Sequence, residues 1–462
     1  MLRDQRIRAD SLHRRIRLRE FSSQGTEHAD ADFPKAEKMF LYLLIAAVTV
    51  MAAAGVKMTA GGARGTRGRA VNWYCLFAIA LILILPAVFR EETGNDYLRY
   101  VEFFHLASID SYVPTEKGFN LLVKLIYTLC GYENYLLVFA VFAILTIVLM
   151  LTAVRQQAED FLFSFFLFMM FGYYYQSFNT MRYYFALSIV MAATIWFIRK
   201  NYVVFVLLVL GASLFHKSAL AALVLFPLAM HVWKLRQLAV VLVIGCAVTA
   251  FHEQVMTILL ILYPSWEDTT DLAAGTSISW VNILRCAGGL ILAGIVWYLN
   301  RAERSGQPDE MTADAVSSES AGAAANPGAD LSKGTKTRGK APAAPAFEIS
   351  AKGPQEARAL LLYVNAQLLG LGIHIFGWFI PEVSRITYYL TYTQIFLFPM
   401  LLARIPAKYD RLKKLFTAAV VLAAICYFAM FLRSCYGDTI KLLPYQSFLF
   451  HDLNLTPSNS IE

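Results

Sequence analysis

Residues 134–154 read NYLLVFAVFAILTIVLMLTAV, 21 residues without a charge. As an α-helix at about 1.5 Å per residue this run measures about 30 Å, the thickness of a bilayer's hydrocarbon layer. It is apolar on every side, so it presents no face to water. Working outward, comparable runs occupy 39–56, 71–89, 161–176, 183–199, 202–216, 218–234, 237–253, 280–300, 359–378, 386–403 and 415–433. The pattern predicts an all-α, polytopic transmembrane helical bundle of about 12 spans. Composition agrees: of 462 residues 58% are hydrophobic and 16% charged, where soluble domains carry about 25% charge, and the mean hydropathy is +0.51. The shortest polar breaks hold Arg182 and Lys217, charges that are costly at mid-bilayer and so mark span ends.

Loop charge sets the expected orientation. Lys57, Arg64, Arg67 and Arg69, then Arg199 with Lys200, Lys234 with Arg236, and Arg404, Lys408, Arg411, Lys413 and Lys414 all fall on one side. That side is expected to be cytoplasmic. Segments 90–133, 177–182, 254–279, 379–385 and 434–462 then face outward, with both termini external. The expected organisation is a basic leader (1–38), a first bundle section (39–300) containing the external loop 90–133, a disordered cytoplasmic loop (301–357), the last three spans (358–433) and an extracytoplasmic tail (434–462). The leader's arginines run against this orientation. They lie about 20 residues from the first span, beyond Glu27, Asp30, Asp32 and Glu37; a start at Met39 or a disordered tail accounts for them. Residues 301–357 are rich in Ala, Gly, Ser, Pro and Lys and lack the apolar surface that offsets ordering entropy.

Several functional classes drop out. Cys75, Cys130, Cys246, Cys286, Cys426 and Cys435 form no CxxC pair and read as small hydrophobes, so no metal site is expected. The formal charge of +8 belongs to loops that orient the chain, and no nucleic-acid module is present. A phosphate-binding P-loop, HExxH and GxSxG are also missing from the sequence, and no repeat suggests a transporter of inverted halves.

Three stretches carry candidate chemistry. The external segment 90–133 mixes Arg90, Asp96, Arg99 and Glu116 with Tyr97, Tyr100, Phe103, Phe104 and Tyr112. Rings beside acids and amides are the side chains that stack on and hydrogen-bond sugars; an interfacial aromatic belt is the alternative. Its second half, 116–130, spaces apolar residues helically around Lys117 and Lys124, which predicts a helix on the membrane surface. The run YYYQSFNTMRYYF (173–185) sets Arg182 among aromatics, IPEVSRITYYL repeats the pattern with Arg385, and Arg285 lies just inside the span from 280. Guanidinium forks match phosphate oxygens, which makes all three candidate ligands for a lipid pyrophosphate; snorkelling to headgroups is the alternative. In LFHKSAL, His216 at a tight external turn is a candidate general base or an ordinary hydrogen-bonded histidine. His231, His252 and His374 read as structural.

The succession of a basic loop between two spans, GNDYLRY, Glu116-x-Gly118-Phe119, NTMRYYFALSIVMAA, FHKSALAAL, SRITYYLTYTQIFLFP and LPYQS resembles the EpsG family of exopolysaccharide-operon membrane proteins, akin to Wzy-type polymerases. The likeness covers 39 to about 450. It implies a multi-pass enzyme of the cytoplasmic (inner) membrane whose active face is extracytoplasmic. Such an enzyme joins undecaprenyl-pyrophosphate-linked oligosaccharide units into exopolysaccharide or capsule, as in biofilms. The resemblance implies no cofactor, neither nucleotide sugar nor metal, and as partners a flippase and a chain-length regulator of the same pathway. In that reading His216, Asp96 and Arg182 are catalytic, with His216 or Asp96 as base. Arg385, Arg285, Glu116, Tyr97, Tyr100 and Arg90 bind substrate. A lipid-linked oligosaccharide flippase or transporter and a membrane acyltransferase are the competing readings.

Overall fold

The computed structural model describes residues 35–60, 66–262, 278–306, 353–381, 383–436 and 440–450. The expectations for the leader before residue 35, for 307–352 of the long loop and for the tail beyond 450 lie outside the described residues.

The described chain is helical in the order α1 (Lys35–Ala60), α2 (Thr66–Val88), α3 (Tyr97–Ser108), α4 (Lys117–Cys130), α5 (Tyr135–Gln157), α6 (Phe161–Met170), α7 (Tyr173–Gln176), α8 (Met181–Ile198), α9 (Tyr202–Ser213), α10 (Ala221–Ala229), α11 (Leu235–Ala250), α12 (His252–Leu262), α13 (Trp280–Gly306), α14 (Pro354–Phe376), α15 (Val383–Thr391), α16 (Gln394–Ala403) and α17 (Asp410–Ser434). Local chemistry explains several starts. Asn134 accepts from the Leu137 N–H, Asp160 from Phe163 and Asn201 from Val204, each satisfying an orphan donor of a first turn.

Twelve full spans are not reached. Among the described residues eight helices are long and apolar enough to cross a membrane, and a ninth run, Leu235–Ala250 with His252–Ile261, bends by 80°. The remaining three expected spans are the shorter apolar helices Phe161–Met170, Tyr202–Ser213 and Lys217–Ala229. The first two have 10 and 12 residues, about 15 and 18 Å, well short of the hydrocarbon thickness. Hydropathy counts apolar residues and overlooks what stops a helix. After α6 the chain turns at Gly172, whose φ is +74°, and stays irregular around the one-turn α7 as far as Thr180. Irregular backbone of this kind survives in a bilayer only where it is enclosed by protein or borders a polar cavity.

Two spans form the centre. Met181–Ile198 is 78% buried and Val383–Ala403 83%, whereas Arg69–Val88 and Ala407–Ser434 are each 22% buried and face outward. Tyr183 donates to the Arg385 carbonyl at 2.8 Å, binding the N-terminal ends of the two central spans together. At the opposite end Arg358 donates to the Ile198 carbonyl at 2.9 Å and Arg404 pairs with Glu159 at 3.0 Å and with Glu356. The turns carrying Arg199, Lys200, Lys234, Arg236, Lys408 and Arg411 belong to that end by the alternation of the helices.

The helix expected over 116–130 is present as α4. Phe119, Val123, Ile126 and Tyr127 pack into a satellite core with Tyr97, Tyr100, Phe104, Phe139 and Phe142. Leu121, Leu125 and Leu129 form a second stripe at spacing four and are 69%, 51% and 77% exposed, an apolar face suited to the interface. Gly118 makes the docking possible: its N–H donates to Leu214 O at 2.9 Å, and a Cβ would lie 2.8 Å from that same oxygen.

Candidate functional site

Both central arginines sit at the first turns of the two most enclosed spans, where backbone N–H groups add partial positive charge. Around this end the structure gathers Asp96, Glu116, Arg182, His216 and Arg385, five of the nine expected site residues. Arg182 donates to Glu116 Oε2 at 2.6 Å, and the other carboxylate oxygen accepts from the Lys217 N–H at 3.2 Å. The guanidinium also lies over the rings of Phe119 and Tyr100, 5.4 and 5.9 Å from their centroids. Glu116 thus spends its charge on a clasp between α4, α8 and the turn at 216, where the sequence suggested a sugar ligand.

Asp96 reaches the site through Gly94. The latter has φ +103° and runs so close to Phe178 that a Cβ would meet the Phe178 carbonyl at 2.8 Å. That approach brings the Asp96 N–H within 3.4 Å of Asn179 Oδ1, while Lys441 and Ile440 carbonyls take the N–H groups of Gly94 and Asn95. Asp96 precedes α3 and its carboxylate makes no capping bond to that helix. Burial raises its pKa above the usual carboxylate value, an effect opposed by Arg385, Arg99 and Arg182.

His216 is held differently. Its Nδ1 accepts from the Ser218 N–H at 3.4 Å and faces Ser218 Oγ at 2.6 Å, and Ser218 Oγ lies 3.1 Å from the Tyr389 hydroxyl. Nδ1 is therefore the acceptor, which leaves the proton of the neutral ring on Nε2. Burial, with Arg385 and Arg182 nearby, lowers the imidazole pKa to about 3. The group is a hydrogen-bond donor at neutral pH, a poor fit to a general base.

A cavity of about 380 Å³ opens at this end, lined among others by Gln176, Asn179, Tyr183, Tyr184, Arg385 and Tyr388. Of the expected arginines, Arg385 alone is among its lining residues. Arg285 lines a neighbouring apolar cavity of about 370 Å³, with its guanidinium between the rings of Phe171 and Tyr427 at 4.2 and 4.6 Å.

Three expected substrate ligands are buried against aromatic rings, Tyr100 directly beneath Arg182. Arg90 is 2% exposed, set between the rings of Phe139 and Phe178 and bridged to Ser447. Tyr97 stacks on Phe139 at 4.4 Å, and Tyr100 is buried in the satellite core. The returning segment 440–447 pairs with the backbone at Arg90, Glu91, Gly94 and Asn95, while both tyrosines turn into the satellite core. Conversely Gln176, Asn179, Tyr184 and Tyr388 were not singled out, although all but Tyr388 fall in the aromatic run 173–185 whose arginine drew attention.

The architecture is that of a polytopic membrane protein with an arginine-bearing polar cavity at one end of its bundle. Residues 73–309 match the family model described as EpsG family, just over half of the chain, and the protein belongs to that family. The matched stretch contains Asp96, Glu116, Arg182, His216 and Arg285, while Arg385 lies beyond it. No match is found among curated proteins or among solved structures.

Proposed function

We propose that this protein is a membrane glycosyl-transfer polymerase, joining undecaprenyl-pyrophosphate-linked oligosaccharide units into exopolysaccharide on the outer face of the cytoplasmic membrane. Family membership and the apolar helices fit a membrane polysaccharide polymerase. The observation that carries the reading is the cavity lined by Arg385 and by Asn179, whose Oδ1 accepts from the backbone N–H of Asp96 just outside the lining. It pairs a group suited to a leaving pyrophosphate with one suited to a hydroxyl proton.

The chemistry follows from those two charges. The acceptor hydroxyl oxygen bonds to the anomeric carbon of the donor as the bond from that carbon to the pyrophosphate oxygen breaks, its electron pair staying on the phosphate. Arg385 stabilises the charge gained there, more in the transition state than before it. Asp96, whose raised pKa makes it a better proton acceptor than an exposed aspartate, takes the hydroxyl proton and returns it to water. His216 donates through Nε2 to a sugar or phosphate oxygen. The arginine- and lysine-bearing turns at the far end support placing that end in the cytoplasm.

The purified protein in liposomes, given lipid-linked repeat units alone, is expected to form glycosidic bonds and release one polyprenyl pyrophosphate per bond. Translocation of the lipid-linked units without bond formation would replace this reading with a flippase.

A further inference from the structure

The two cavities adjoin: Val281, Tyr427 and Met430 line both. The first is polar and holds Arg385. The second runs between α13 and α17, with Leu284, Ile291, Ile295 and Val420 on its walls and the small residues Gly288, Ala419 and Ala423 between them. Leu284 and Ile291 are 68% and 63% exposed, so the groove opens sideways toward lipid. A Cβ added at Gly288 would meet nothing within 4 Å; the groove there is open space.

Arg285 lines the second cavity and lies against Tyr427, which borders both. Its Nε donates to Gln394 Oε1 at 3.0 Å. Gln394 in turn donates to Gln367, and Gln367 to Thr393, at 2.8 and 2.9 Å. This amide chain fixes the guanidinium from behind; the buried Nη2 makes no bond of full hydrogen-bonding geometry, and the Tyr173 hydroxyl lies beside the guanidinium. A buried donor of that kind is costly unless a ligand completes it.

We propose that the groove between α13 and α17 seats the first isoprene units of the donor's polyprenyl chain, with Arg285 hydrogen-bonded to the phosphate to which that chain is attached. The inference rests on the reading that the donor is polyprenyl-linked. A single molecule with an anionic centre, a polar head and a long apolar tail matches the sequence of surfaces from Arg385 through Arg285 to Ile295. Leaving the bilayer for an apolar groove gains little by transfer, because lipid tails are already apolar. The groove therefore acts by fixing the direction of the tail, which aligns the anomeric carbon with Asp96.

The test is photolabelling of the purified full-length protein in nanodiscs by undecaprenyl phosphate carrying a diazirine in its first isoprene units. Label is expected on 280–306 and 410–434, reduced about tenfold, the equivalent of ~1.4 kcal/mol, by Gly288→Phe and by Ala423→Phe in monodisperse preparations. Arg285→Gln should lower labelling by the phosphate probe and leave labelling by the matching neutral polyprenol unchanged. Even labelling of all lipid-facing helices, or displacement by excess phosphatidylglycerol as readily as by undecaprenyl phosphate, would overturn the proposal. Groove labelling in a protein that forms no glycosidic bond would keep the groove and remove the polymerase. Bond formation by Gly288→Phe at the wild-type rate, with no groove label, would do the reverse.

Discussion

Arg182 and Glu116 form a 2.6 Å ion pair, 19% and 13% exposed, between a surface helix and a central span. Two residues that the sequence offered as separate ligands are thus one clasp. Each compensates the other's desolvation, and the cavity beside them is left to Arg385.

Breaking the clasp on one side should be worse than removing it. Arg182→Gln or Glu116→Gln leaves a buried charge uncompensated and is expected to cost about 3 kcal/mol, while the double variant regains a large part of that loss. Thermal unfolding in detergent measures the cycle; additive losses would show that the two do not interact.

Gly94→Ala should abolish polymer formation in a protein that still inserts. The substitution combines a φ of +103° with a 2.8 Å contact to the Phe178 carbonyl, a local strain of about 1–3 kcal/mol that moves Asp96 from Asn179. Gly131→Ala is the comparison. Its φ is +76° with open space around it, so transfer should persist there; equal loss in both would point to general instability.

Transfer should fall on the acid side at a pH above that of an exposed carboxylate, because burial favours protonated Asp96. A base works only when deprotonated, so activity is full above the raised pKa and lost as pH drops through it. Arg385, which lowers that pKa, should on conversion to Gln move the acid limb to still higher pH. A limb that stays in place would separate the two residues.

His216→Gln is expected to retain more transfer than His216→Ala, since an amide can still donate. With its pKa near 3, the imidazole should contribute no inflection around neutrality in the rate profile. An inflection there that vanishes in His216→Gln would restore histidine as the base.

The sequence made the membrane class legible because long apolar runs nearly free of charge admit few other uses, and each of the twelve runs contains helix. Among the described residues the count is not reached where a break costs little hydropathy, as at Gly172 and between Ser213 and Lys217. Arg182 and Arg385 were readable because a charge amid aromatics at a span end stands out. Gln176, Asn179 and Tyr184 were not, since amides and tyrosines in such a run look alike until packing shows which border empty space. Arg90, Tyr97 and Tyr100 stand out in the sequence but are buried in the fold. Only the fold reveals that Ser447, more than 300 positions away, bridges to Arg90 and that both tyrosines turn into the satellite core.

The most direct measurement is glycan chain length formed in proteoliposomes by the wild type, Asp96→Asn and Arg385→Ala at equal levels of folded protein. Polymer is expected from the wild type and only unjoined repeat units from both variants, a rate loss of about 10² or more for each. Wild-type chain length from either variant would remove that cavity as the place where the sugars are joined.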